Sequence, residues 1–225
     1  WQFFAIGFGI GFGGMNGYGQ FISWIQGVFR VGNPSVVASP IVDSSTLPIH
    51  PAVGFLWLAI VGFEWGGNAG GFLAWTLMKP KNPKEWAIRI LCPVVFGIIG
   101  FLVVKFNPGV FFPNYNPELY NSVQCATDCT RTASTLPTLA LFFGMSIGFF
   151  VAESWLNNWE GVKSIGIIAV GFAIAFPLSS LWFFGDLEGF SSWWKLWEEG
   201  IGFIGGISIG IVFLRLVKLA EKGSI

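Results

Sequence analysis

The chain has 225 residues, 53% of them hydrophobic and only 11% charged, with a mean hydropathy of +0.66. Soluble domains carry roughly 25% charged residues, so an ordinary soluble fold is excluded. Twelve basic residues balance twelve acidic ones, which leaves no electrostatic footprint for a nucleic-acid partner.

Apolar stretches of roughly 20 residues, the length that spans a bilayer as a helix, occur at 3–29, 51–78, 86–106, 136–156, 162–184 and 197–219. Their hydrophobicity is continuous rather than alternating, which favours helices over barrel strands. The expected fold is therefore all-α: a polytopic integral membrane protein of about six transmembrane helices, forming one transmembrane domain over 1–225. The first span is crowded with glycine, which leaves it open to tilting or breaking, and carries Asn16 and Gln20, one helical turn apart. The second span carries Glu64 near its middle and Asn68 one turn later, amid Gly62, Gly66, Gly67, Gly70 and Gly71. A carboxylate at bilayer depth costs about 3 kcal/mol on insertion scales, so Glu64 is the leading functional candidate. It is expected either to titrate against water or a cation, or to sit neutral, hydrogen-bonded to a helix backbone or to Asn16.

The third span contains Cys92, read as a small buried apolar residue, and Pro93, read as a first-turn proline. An external loop, 107–135, contains Cys125 and Cys129, expected to form a disulfide in an oxidising compartment. A metal site there is disfavoured because the sole histidine, His50, lies in another loop. The fourth span opens near Pro137 and carries Glu153 at its far end, the fifth contains Pro177, and the sixth opens with Glu198 and Glu199. Before it, Phe190, Trp194 and Trp197 share one helical face suited to the headgroup level.

Small residues recur four apart at Gly9, Gly13 and Gly17; Gly62, Gly66 and Gly70; Gly144, Gly148 and Ala152; and Gly202, Gly206 and Gly210. Such glycine zippers let a neighbouring helix backbone approach closely. Shifting the chain by 131 residues aligns Phe12-Gly13 with Phe143-Gly144, Gly17-Tyr18 with Gly148-Phe149 and Ser23-Trp24 with Ser154-Trp155. This raises a 3+3 inverted repeat with halves 1–106 and 136–222, although the remaining spans do not match visibly.

Eight basic residues, at Lys79, Lys81, Lys84, Arg89, Lys163, Arg215, Lys218 and Lys222, fall on one side of a six-span arrangement, against Arg30, Lys105, Arg131 and Lys195 on the other. The positive-inside rule then places both termini in the cytoplasm, with the plasma (inner) membrane as the expected location. No hydrolase, P-loop or dinucleotide motif is present, so an enzyme is not expected. No cofactor is assigned; a lone His50 limits histidine-ligated haem or pigment to one.

The expected function is a small channel or transporter for a cation, proton or small polar solute. Glu64 is its centre, Asn68, Asn16 and Gln20 its polar lining, and Glu153 an inner relay. The alternative is a non-catalytic accessory subunit of a larger membrane complex, binding pigment or lipid. Expected partners are membrane lipids, with a homo-oligomer or other membrane subunits. The position of Glu64 discriminates: a water-accessible cavity favours transport, a closed helix contact favours assembly.

Overall fold

The computed structural model describes residues 1–14, 19–31, 45–78, 80–121, 128–185 and 193–222. In chain order these form α1 (Gln2–Gly13), α2 (Gln20–Ile25), β1 (Val28–Val31), β2 (Ser45–Pro48), α3 (Pro51–Leu77), α4 (Pro83–Phe106), α5 (Pro108–Phe111), α6 (Pro117–Tyr120), α7 (Asp128–Trp155), α8 (Trp159–Ser179) and α9 (Trp193–Glu221). A 3-10 turn, Ser180–Phe184, extends α8. Four helices, α4, α7, α8 with its 3-10 extension, and α9, are long and apolar enough to cross a membrane. The protein is thus a helical membrane protein in outline.

Helix starts follow their capping chemistry. Pro51 opens α3 behind His50, whose Nδ1 accepts from the Ala52 N–H at 3.2 Å. Asn82 caps α4 by accepting from Glu85 N–H, while Glu85 accepts from Lys81 N–H at 2.7 Å, a local variant of the capping box. Between α7 and α8 the chain reverses over Leu156, Asn157 and Asn158, with Asn157 at φ 57° and Asn158 accepting from Gly161 N–H.

α3 lies at the centre, packed by α1, α2, α7 and α8; α4 runs along α7, and α9 along α8. Glycine makes these contacts close. A Cβ added at Gly66 would strike Ile168 and Ala169, and one at Gly70 would lie 2.6 Å from Ile165 Cα; Gly62 faces Phe172 in the same way. As α3 numbers rise, their α8 partners fall, so the two helices are antiparallel. The same reasoning makes α4 and α7 antiparallel, with Gly144 on Phe96 and Gly148 on Pro93, and α1 and α3 antiparallel, with Gly9 on Ala69 and Gly13 on Trp65. By contrast α3 and α7 run the same way, Gly67 against Ser146 and Gly71 against Phe149.

Several expectations change. The first apolar stretch is not one helix: α1 ends at Gly13, α2 is six residues long, and β1 follows. β1 pairs antiparallel with β2, Val28 opposite Pro48, so the link after the first stretch contains a two-stranded ladder that an all-α reading omits. Its Val-Phe-Arg-Val segment alternates buried and exposed positions, the period of a half-buried strand. α7 begins at Asp128, eight residues before the expected start, and α4 at Pro83. Pro93 and Pro137 therefore lie inside helices rather than in first turns. Membrane helices tolerate this where neighbours cover the interrupted backbone, and Pro93 is covered by Gly148. Glu198 sits in the second turn of α9, its Oε1 accepting from Trp194 Nε1. Trp197 is core rather than a headgroup anchor, fully buried and donating to the Phe176 carbonyl at 3.1 Å. Phe190 lies outside the described residues.

The proposed halves also pack unequally. α4 runs along α7, but α1 lies along α3 rather than along α9. In α9 a Cβ at Gly202, Gly206 or Gly210 would meet nothing within 4 Å.

Candidate functional site

Among the described residues, three clusters of buried polar groups involve α7. At mid-bundle, Glu64 and Asn68 are both fully buried on α3. Asn68 Nδ2 donates to the Glu64 carbonyl at 2.7 Å and to the Phe142 carbonyl of α7 at 3.3 Å. Ser146 Oγ bridges the same two carbonyls, at 3.3 and 3.2 Å. Gly67 permits this, because its Cβ would lie 2.5 Å from Ser146 Oγ. α1 closes the other side through Gly9 and Gly13. The Glu64 side chain is therefore enclosed by helices of its own chain.

Asn16, expected in this lining, and Gly17 of the first zipper lie outside the described residues. Gln20 is not at this level. It is 4% exposed on α2 and lines a cleft of about 150 Å³ with Ser23, Arg30, Asp128, Arg131 and Trp194. There the Arg30 backbone N–H donates to Asp128 Oδ2 at 2.7 Å, joining β1 to the start of α7.

The third cluster lies at the opposite end of α7. Glu153 Oε2 accepts from Arg89 of α4 at 2.8 Å, both side chains wholly buried, and from Asn158 Nδ2 at 2.6 Å. Arg89 also donates to the Met78 carbonyl at 2.7 Å, and Asn158 to the Ala74 carbonyl at 3.2 Å. Two side chains and one cap thus join the ends of α3, α4, α7 and α8. Among the described residues, Arg89 Nε and Glu153 Oε1 have no hydrogen-bond partner, so the cluster retains bonding capacity.

The polar candidates therefore do not converge on one point: Glu64 and Asn68 are together, while Gln20 and Glu153 stand towards opposite ends. Sequence reasoning missed Ser146, Arg89 and Asn158. The signal for Arg89 was present, since its α4 position and Glu153 both fall near the same end of adjacent apolar stretches; counting Arg89 as a loop charge concealed it. At that end Glu160 of α8 binds Arg215 of α9 through two hydrogen bonds, at 2.9 and 3.0 Å, and Lys163 at 3.0 Å.

Among the cysteines, Cys92 is a free thiol and Cys129 is fully buried, while Cys125 lies outside the described residues. Comparison with protein-family models, curated proteins and solved structures finds no match to this chain.

Proposed function

We propose that the protein is a membrane transporter for a proton, cation or small polar solute, with Glu64 as the central exchangeable group. The observation that carries this reading is that Glu64, Arg89 and Glu153 are all fully buried within the helix bundle. Ionisable groups in membrane segments mark ion or substrate pathways when they face a bundle interior. Enclosure of Glu64 by α1 and α7 is a closed helix contact, which by itself favours assembly; the transport reading takes it as the occluded state of a carrier rather than an open channel. Exchange then requires these helices to separate, and the Arg89–Glu153–Asn158 cluster is the inner closure.

The accessory-subunit reading has its own support. Glu64 occupies a closed helix contact, and α4 and α9 expose apolar side chains such as Leu91, Ile98, Phe203 and Leu214. Against it, a charge kept for a partner would stand on the perimeter, where the exposed side chains are apolar and suited to lipid.

The same proposal places both termini in the cytoplasm of an inner membrane and pairs Cys125 with Cys129. Support for the pairing is that Cys92 stands as a free thiol on α4, which leaves Cys125 and Cys129, four residues apart, for each other in a chain with three cysteines. Transport is tested by flux into liposomes containing the purified protein, under imposed proton and cation gradients. Glu64→Gln keeps shape and hydrogen bonding but loses titration, and is expected to abolish flux or remove its pH dependence while the protein still elutes as wild type. Unchanged flux in that variant removes Glu64 from its role; a folded wild type that moves no tested solute, but co-purifies with a defined membrane partner, favours the accessory reading.

A further inference from the structure

We propose that Phe149 is the barrier on the inner side of Glu64, its ring closing the seam between α3 and α7 to water and protons, an inference that builds on the transport reading. Because α3 and α7 run the same way, their contacts fall in order along one seam. Glu64, Asn68 and Ser146 form a polar level at mid-bundle. Arg89, Glu153 and Asn158 form a second near the inner end, where Asn158 donates to the Ala74 carbonyl. Ser146 and Glu153 are seven residues apart on α7, which separates the two levels by roughly 10 Å at 1.5 Å per residue. Gly71 and Phe149 lie between them. The Phe149 ring is 1% exposed and occupies the space that a Cβ at Gly71 would need, so glycine at that position is what admits it.

Other rings hold it in place. Phe149 packs edge-on against Phe72 at 5.3 Å and Trp75 at 5.6 Å. Phe72 in turn meets Phe8 and Phe12 of α1 at 5.0 and 6.0 Å, and Trp75 meets Trp86 of α4 at 5.9 Å. The plug therefore joins α1, α3, α4 and α7, and α1 is one of the helices that must separate for exchange at Glu64. Withdrawal of α1 takes two ring partners from Phe72, which loosens its hold on Phe149. Buried rings alone describe a packed core, but the order polar, aromatic, polar along one seam is what separates two polar levels. The Phe149 and Phe72 rings offer no hydrogen-bonding group, so no chain of waters or protons can form across them. Replacing Phe149 with alanine empties a space that has polar groups at both ends, the condition under which buried water enters.

Proton entry into liposomes containing the intact chain, read by a lumenal pH-sensitive dye under an imposed pH gradient with the membrane potential clamped, tests the barrier. Phe149→Ala is expected to raise entry severalfold, and to do so even when combined with Glu64→Gln, because the opened path does not need the carboxylate. Phe21→Ala removes an equally buried ring on α2, outside this seam, and is expected to leave entry at the wild-type level. Each variant is read in protein that elutes as wild type. If Phe149→Ala does not fold, Phe149→Leu fills part of the space and is expected to raise entry by a smaller factor. Entry no higher than in Glu64→Gln alone when the folded Phe149 variant is combined with it, or an equal rise in Phe21→Ala, overturns the barrier. A wild type that moves no proton or solute while the double variant leaks leaves the barrier standing and counts only against transport.

Discussion

At the scale of single residues, burial decides what each polar group can do. Arg89 and Glu153 are sealed from solvent and bonded to each other, so removing one leaves the other as an uncompensated charge. Arg89→Gln or Glu153→Gln is expected to destabilise the protein by about 3–5 kcal/mol, whereas the double replacement Arg89→Met with Glu153→Leu recovers most of that loss. Thermal unfolding of the three variants checks it; equal losses in single and double variants would show that the pair itself is not what holds the helix ends. Tyr120 offers a pH test outside the membrane-spanning helices. Burial pushes its hydroxyl well above the ordinary tyrosine range, and the hydroxyl donates to the Pro113 carbonyl at 2.7 Å. A raised folded value means that its stabilisation is complete below the unfolded value of about 10 and is lost as pH climbs through the folded one. Phenolate absorbance should show one tyrosine titrating late, and the late component should vanish in Tyr120→Phe.

At the scale of elements, identical glycine spacing has different meanings on different helices. On α3 the stripe Gly62, Gly66 and Gly70 is filled by the α8 backbone, while on α9 the stripe Gly202, Gly206 and Gly210 faces open space. Gly66→Ala is therefore expected to lower stability by about 1–3 kcal/mol through overpacking, and Gly206→Ala to leave it unchanged or slightly raised, since alanine favours the helix. Comparison of the two melting temperatures is the measurement, and a larger loss at Gly206 would contradict the packing assigned to α9. The spacing was legible in the sequence; its occupancy was not, because spacing describes one helix and contact needs two.

At the scale of the whole molecule, helix directions gather Lys81, Lys84, Arg89, Lys163, Arg215 and Lys218 at the end that holds the Arg89–Glu153 cluster. The proposed orientation puts that end in the cytoplasm. In right-side-out vesicles an impermeant thiol reagent is then expected to label Cys125 after reduction, and a cysteine introduced as Lys163→Cys only after the vesicles are inverted. The reverse pattern would turn the molecule over without altering its packing.

Composition alone determined that the chain is a helical membrane protein, because apolar runs of this length leave no other way to satisfy the backbone, and the second stretch was located to within a residue of α3. Glu64 and Asn68 were legible as neighbours because helical periodicity is a local property. Where local signals were mixed, boundaries drifted: polar residues 128–135 hid the first turns of α7, whereas glycine crowding pointed to a break in the first stretch without giving its position between α1 and α2. Only the tertiary structure decided that Glu153 meets Arg89 across two helices, that Gln20 belongs to a cleft rather than to Glu64, and that Ser146 bridges α7 to α3. Each depends on which helix packs against which and in what register, and that is set by the sum of many side-chain contacts rather than by any one stretch of sequence.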